Sequence, residues 1–121
     1  MAILLGLMLP IAGAQAALEP LTPGWQDIFR MQWEPSTWRG RPRVAGFLTN
    51  TSPYTLSRIK LLVESLDGNG ELVGQRVDGV QGALAPFTGT YFSVAAPPPS
   101  TRYRVRVFSF DRIELPGSNF D

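Results

Sequence analysis

Short runs of alternating apolar and polar residues, separated by turn-forming residues, run through most of this chain. In residues 56–66, Ile59, Leu61 and Val63 fall on one side of an extended segment, because successive side chains of a β-strand point to opposite faces. The next four residues are Asp-Gly-Asn-Gly, a composition typical of the turn between two antiparallel strands. The pattern predicts a β-hairpin whose second strand covers residues 71–77.

Four further segments have the composition or the alternation of strands. Glu34, Pro35 and Ser36 follow the first of these segments, and we expect the strand to stop before them. Asn50 and Pro53 lie in a predicted turn, and residues 96–100 form a proline-rich bridge. The predicted strands are residues 28–33, 41–50, 90–95 and 102–110. Strands and turns at this spacing predict an all-β chain, an immunoglobulin-like (fibronectin-III-like) antiparallel β-sandwich of six to seven strands.

The N-terminus has the features of an export signal. Residues 2–14 are uncharged and mostly apolar, and Ala14-Gln15-Ala16 is a small-x-small cleavage site. The run is shorter than the roughly 20 residues of a membrane-spanning helix, so we expect no stable transmembrane anchor after cleavage; an uncleaved anchor or a buried apolar helix is the alternative. The sequence thus predicts a signal peptide (1–16), a flexible lead-in (17–24), the β-sandwich domain (25–115) and a C-terminal tail (116–121), in a periplasmic or secreted bacterial protein.

Composition excludes several classes of function. The chain contains no cysteine and no histidine, which removes thiolate and imidazole catalysts and the usual ligands of zinc, copper and haem. Its formal net charge is +1, far from the basic balance of a nucleic-acid-binding domain. Asp67, Glu71 and Asp78 lack the spacing of a calcium loop, and turn geometry explains Asp67 better. We therefore predict no enzyme activity, no catalytic residues, no cofactor, no metal and no nucleic-acid partner.

The order of these elements resembles the bacterial and archaeal FxLYD-type domains, and more loosely related immunoglobulin-like domains of exported proteins. The resemblance covers about residues 44–107, and the naming motif stands here as Val63-Glu64-Ser65-Leu66-Asp67, with its final Asp kept. The matching residues are Val44, Gly46, Asn50, Ser52, Ile59, Leu61, Val63, Asp67, Gly70, Leu84, Pro86, Thr88 and Phe92. The resemblance implies a binding or structural accessory module and brings no catalytic residues.

Arginine supplies the clearest candidates for recognition, since ten of the eleven basic residues are Arg. Guanidinium groups suit bidentate binding of carboxylate or phosphate. Two arginine stripes, with Trp38 as the tryptophan expected to be exposed in a loop, form the predicted binding surface: Trp38, Arg39, Arg41, Arg43, Arg102, Arg104 and Arg106. The alternative is a structural face whose arginines pair with Glu64, Glu71 or Asp111 on neighbouring strands.

These observations predict an exported, non-catalytic accessory module of the bacterial cell envelope. We expect it to bind an envelope protein, or an anionic surface component, through a sheet face or an edge strand. A carbohydrate-binding module that uses Trp38 and the neighbouring arginines is the alternative, because exposed aromatic rings stack on sugars. A structural role for Trp25, Trp33 and Trp38 is the competing explanation, since large aromatic side chains commonly anchor cores.

Overall fold

The computed structural model describes residues 17–98 and 102–113, and it confirms the predicted all-β class for this part of the chain. A short 3-10 turn, Trp25–Asp27, precedes six strands in the described residues: β1 (Phe29–Trp38), β2 (Arg41–Asn50), β3 (Thr55–Leu66), β4 (Leu72–Gly79), β5 (Gly89–Ala95) and β6 (Arg102–Ile113). The first sheet has the order β1-β2-β5 and the second sheet the order β4-β3-β6, with every pairing antiparallel. The predicted signal peptide and C-terminal tail lie outside the described residues.

The core lies between the two sheets, in the manner of a β-sandwich. Ile59, Leu61 and Val63 of the central strand β3 are completely buried in it, as the alternation predicted. The first sheet contributes Val44, Leu48 and Val94, which are also completely buried. Removal of these side chains from water is the main driving force for pairing the sheets, at about 25 cal/mol per Å² of apolar surface.

A β-bulge changes the alternation at the start of β3. Leu56 and Ile59 both lie in the core although they are three residues apart, which a regular strand does not allow. The pairing of β3 with β6 shifts between Ser57 and Lys60, and Arg58 between them has a φ of 47°. The extra residue in the bulge returns Leu56 to the inner face.

The predicted end of the first strand is wrong. β1 continues through Pro35 to Trp38, because β1 lies at the edge of its sheet and the missing N–H of a proline costs no pairing on the outer side of an edge strand. Arg39 and Gly40 then form a two-residue turn with φ values of 51° and 75°, the combination of a type I′ hairpin. Trp38 therefore ends a strand and does not lie in a loop.

Asn50 joins two loops at the end of the sandwich opposite this hairpin. Its buried amide nitrogen donates to the carbonyl oxygens of Tyr54, Leu84 and Ala85, at 2.7, 3.2 and 3.1 Å. Its Oδ1 accepts the backbone N–H of Ser52 at 2.9 Å. The predicted turn after β2 is thus confirmed, and the buried side chain also fixes the loop between β4 and β5.

Gly46 marks a close approach of β1 and β2, and its replacement by alanine should destabilise the protein. An added Cβ would lie 2.7 Å from the Cα of Trp33 and closer still to the carbonyl oxygen of Gln32, and backbone atoms of a paired strand have little room to retreat. We expect Gly46→Ala to lower the free energy of unfolding by about 3 kcal/mol, the upper part of the range for overpacking. Urea denaturation measures this change.

The matched control is Gly79→Ala, because a Cβ at Gly79 would meet its nearest neighbour, the carbonyl oxygen of Ile59, at 3.9 Å. This is an ordinary van der Waals distance. Equal unfolding midpoints for Gly46→Ala and Gly79→Ala would show that β1 can move away from β2.

Candidate binding surfaces

The second sheet carries a buried carboxylate on its outer face. Glu64 lies in the middle of β3, with Arg104 of β6 opposite it on one side and Gln75 of β4 on the other. Its side chain is 1% exposed. A charge at such a position is stable only when it is paired and hydrogen-bonded.

The carboxylate oxygens of Glu64 accept hydrogen bonds from two arginines and one side-chain amide. Arg104 donates to Oε1 and Oε2 at 2.9 and 3.2 Å, and Arg106 donates to the same oxygens at 3.0 and 3.1 Å. Gln75 donates to Oε2 at 3.0 Å. Burial raises the pKa of Glu64, but the hydrogen bonds from Arg104 and Gln75 and the charges of both arginines outweigh it, so that its pKa lies below the ordinary value. Glu64 is therefore ionised at neutral pH.

The predicted lead-in lies against this face of the second sheet. Leu18 and Gln75 exchange two hydrogen bonds through the backbone of Leu18, at 3.0 and 2.9 Å. Glu19 pairs with Arg106 at 3.2 Å, and the N–H of Leu21 donates to the carbonyl oxygen of Phe108 at 2.8 Å. Residues on both sides of Glu64 thus hold the lead-in in place.

The three arginines of the stripe on β6, Arg102, Arg104 and Arg106, therefore have different contacts. Arg104 and Arg106 form ion pairs with Glu64, as the structural alternative expected. Arg102 is exposed and forms no ion pair among the described residues. The predicted pairing of the stripe with Glu71 or Asp111 does not occur there, since Asp111 pairs with Arg58. Whether the stripe also binds a partner stays a prediction.

The second stripe is shorter than the sequence predicted. Arg41 and Arg43 lie on the outer face of β2, but Arg39 lies in the hairpin turn and so is not part of the strand face. Arg43 donates to the hydroxyl and the carbonyl oxygen of Ser93 on β5, at 2.8 and 2.7 Å. Because the two stripes lie on the outer faces of different sheets, the seven predicted residues do not form one continuous surface.

The three tryptophans differ in exposure to solvent. Trp38 is 56% exposed, which confirms the predicted exposure, and the guanidinium carbon of Arg39 lies 4.5 Å from its ring centroid. This is a cation–π distance. Trp25 and Trp33 are partly buried and pack against the core, as the structural explanation expects.

The outer face of the first sheet also contains an aromatic groove, which the sequence patterns did not reveal. Phe47 and Tyr91, on neighbouring strands, contact edge to face with ring centroids 4.8 Å apart. A Cβ at Gly89 would overlap the ring of Phe47 at 2.5 Å, so Gly89 provides the space for that ring. Tyr91 is 82% exposed. The groove is lined by Gln32, Trp33, Glu34, Ala45, Gly46, Phe47, Tyr91 and Phe92.

The calcium alternative receives no support from the turn after β3. Oδ1 of Asp67 accepts the backbone N–H groups of Asn69 and Glu71 at 2.8 and 2.9 Å, which is the turn geometry that the sequence suggested. Within residues 17–98 and 102–113, no three acidic, histidine or cysteine side chains are grouped as a metal site. In the same part of the chain, no helix is long and apolar enough to cross a membrane.

Comparison of the chain with protein-family models, with curated proteins and with solved structures finds no match.

Proposed function

We propose that this protein is an exported, non-catalytic binding module of the bacterial cell envelope, which recognises a protein partner through the outer face of its first sheet. The observation that carries the proposal is the exposed aromatic groove, in which Tyr91 is 82% exposed beside Phe47. Tyrosine is enriched among the residues that dominate binding energy at protein interfaces. Glu34 and Gln32 supply polar groups at the rim.

The two faces of the sandwich favour this assignment. On the second sheet, Arg104 and Arg106 bond to Glu64 and the lead-in crosses the same face. A partner there would have to displace intramolecular contacts. The groove on the first sheet is lined only by residues of its own three strands, as far as the described residues show.

The strand edges of the first sheet favour binding by the face over addition of a strand. Pro35 interrupts the outer row of N–H donors on β1. On β5, the N–H of Ala95 is bonded to Oδ2 of Asp78 at 2.9 Å. Both features limit pairing with a strand from another chain.

The order of the strands supports an immunoglobulin-like, fibronectin-III-like fold as part of the proposal. In such domains strands A, B and E share one sheet, while C and F share the other. Here β1, β2 and β5 form one sheet, and β3 lies beside β6 in the other. Domains of this architecture commonly serve in recognition at cell surfaces.

Photo-crosslinking tests the proposed face. A benzoylphenylalanine residue at position 91 should give one discrete protein adduct in intact cells, whereas the same residue at position 76, exposed on β4 of the second sheet, should give none. With the partner identified, Tyr91→Ala should weaken binding about thirtyfold, the effect of losing a hot-spot side chain. Identical adducts at both positions, or unchanged affinity of Tyr91→Ala, would refute binding through this face.

Processing tests the export part of the proposal. Cleavage after Ala16 would leave Ala17 as the first residue, directly before Leu18, whose backbone is bonded to Gln75. We expect mass spectrometry of the native protein to find the N-terminus at Ala17 or within two residues of it. Full-length chain recovered from the membrane fraction would contradict export by a cleaved signal.

Carbohydrate binding is the second candidate, because two exposed aromatic rings, Trp38 and Tyr91, belong to the first sheet. A glycan array distinguishes the two: defined saccharides should bind, and Trp38→Ala should abolish the signal, only if this candidate is correct. The protein-partner proposal expects a blank array.

A further inference from the structure

Three turns or connections meet at one end of the sandwich, which we call the hairpin end. β1 ends and β2 begins there, β3 ends and β4 begins there, and β5 ends and β6 begins there. Two hydrogen bonds join these connections: Ala96 donates its N–H to the carbonyl oxygen of Pro42 at 3.1 Å, and the hydroxyl of Tyr103 donates to that of Pro97 at 2.9 Å. The first of these bonds ties the start of the β5–β6 connection to β2, and the second ties it to β6.

Basic side chains outnumber acidic ones at the hairpin end. Arg39, Arg41 and Arg102 are exposed there, and no acidic side chain among the described residues forms an ion pair with any of them. Asp67 and Glu71 are the acids of the same end, and Asp67 directs one oxygen to two backbone N–H groups of its own turn. Arg43 adds a fourth cation whose contacts are with the neutral Ser93.

The β1–β2 hairpin at this end is convex and carries an exposed indole. Its turn contains only Arg39 and Gly40, so Trp38 and Arg41 face each other at the last pair of the ladder. Trp38 is 56% exposed, with the guanidinium of Arg39 against its ring. We call residues 38–41 the hairpin tip.

Shape and chemistry together indicate the partner. Small molecules bind in concave sites that bury most of their surface, which a two-residue tip does not supply. The interface of a lipid bilayer accepts a convex group, and the amphipathic ring of tryptophan is enriched there. Guanidinium groups bind phosphate in bidentate geometry, and an anionic leaflet attracts clustered basic residues.

We propose that the hairpin tip docks on the surface of an anionic phospholipid bilayer. The Trp38 ring enters the headgroup region, while Arg39 and Arg41 contact lipid phosphates. Because the tip lies at one end of the strands and the aromatic groove lies on the face of the first sheet, end-on docking leaves the groove accessible. This inference uses a different surface from the proposed protein partner, so either can fail without the other.

Vesicle flotation tests the proposal with the processed protein. Vesicles of phosphatidylglycerol and phosphatidylethanolamine should carry the protein, vesicles of phosphatidylcholine should not, and 0.5 M salt should release it, since exposed charges are screened within a few Å at that ionic strength. We expect Trp38→Ala to reduce binding about tenfold and the double variant Arg39→Gln/Arg41→Gln to reduce it below detection. All these side chains are exposed, so the melting temperature should stay within about 2 °C of wild type.

Tyr91→Ala is the matched control, because it removes an exposed aromatic ring from the same sheet but away from the tip. Its binding to vesicles should equal that of wild type. Equal binding to phosphatidylcholine and phosphatidylglycerol vesicles, full binding by Arg39→Gln/Arg41→Gln, or binding to an acidic polysaccharide without binding to vesicles would each overturn the proposal.

Discussion

Replacement of Ile59 by aspartate should unfold the domain. Ile59 is completely buried in β3 and belongs to the core between the sheets. An aspartate there would be an unpaired charge in an apolar environment, at a cost of several kcal/mol in addition to the lost apolar burial. The total stability of a domain of this size is about 5–15 kcal/mol. We expect the far-UV circular dichroism of Ile59→Asp at 25 °C to be that of an unfolded chain.

Lys60→Asp is the matched control, because it places the same charged side chain one residue further along β3. Lys60 is the next residue of β3 and is exposed, so the same new side chain is solvated there and the variant should melt cooperatively near the wild-type temperature. A β-rich spectrum and a cooperative transition for Ile59→Asp would show that position 59 does not face the core.

The alternation of β3 and the turn after it made the central hairpin predictable, because both are local in sequence. Ile59 lies between Arg58 and Lys60 in the sequence, and Asp67 occupies the turn position that the pattern required. The continuation of β1 through Pro35 was not predictable. A proline ends a central strand but is tolerated at an edge, and the position of a strand within its sheet depends on pairings that local sequence does not encode. The bulge at Arg58 was not predictable either, because it depends on the pairing of β3 with β6.

Both candidate surfaces depend on long-range pairings. Glu64 alternates with apolar residues, which indicated its face of β3 but not its burial. The burial arises from arginines on β6 and from a lead-in whose composition, with Pro20 and Pro23, gave no sign of a defined position. Phe47 and Tyr91 become neighbours only because β2 pairs with β5. Sequence reasoning thus found individual arginines but not which of them are available to a partner.

Replacement of both Arg104 and Arg106 by glutamine should be strongly destabilising. Glu64 would keep its buried position and lose both cations, and removal of the partners of a buried charge costs about 3–5 kcal/mol. Arg104 is half-exposed, with 48% of its side chain accessible, which lowers its share. We expect a loss of about 3 kcal/mol in the free energy of unfolding and a fall in Tm of roughly 10–20 °C. Calorimetry at pH 7 measures both.

The loss of stability in each single variant should increase with the burial of the arginine that is replaced. The side chain of Arg106 is 20% exposed and also holds Glu19 of the lead-in, so Arg106→Gln should cost more than Arg104→Gln. Arg102→Gln is the matched control, since Arg102 belongs to the same strand face but is exposed and forms no ion pair among the described residues. Its Tm should equal that of wild type.

The pH dependence identifies Glu64 as the cause. Its pKa in the folded protein lies below its ordinary value of 4.5, so its ionised form contributes stability that is complete above pH 4.5 and is lost as the pH falls through the folded pKa. In the double variant, burial without the cations raises the pKa of Glu64, and the carboxyl becomes neutral at a higher pH. The difference in stability between wild type and double variant should therefore be largest near pH 7 and should shrink below pH 4.5. Two results would contradict this: a stability difference that is constant with pH, or a double variant with the Tm of wild type. Either would mean that the two arginines do not stabilise Glu64 and are free to serve as a binding surface.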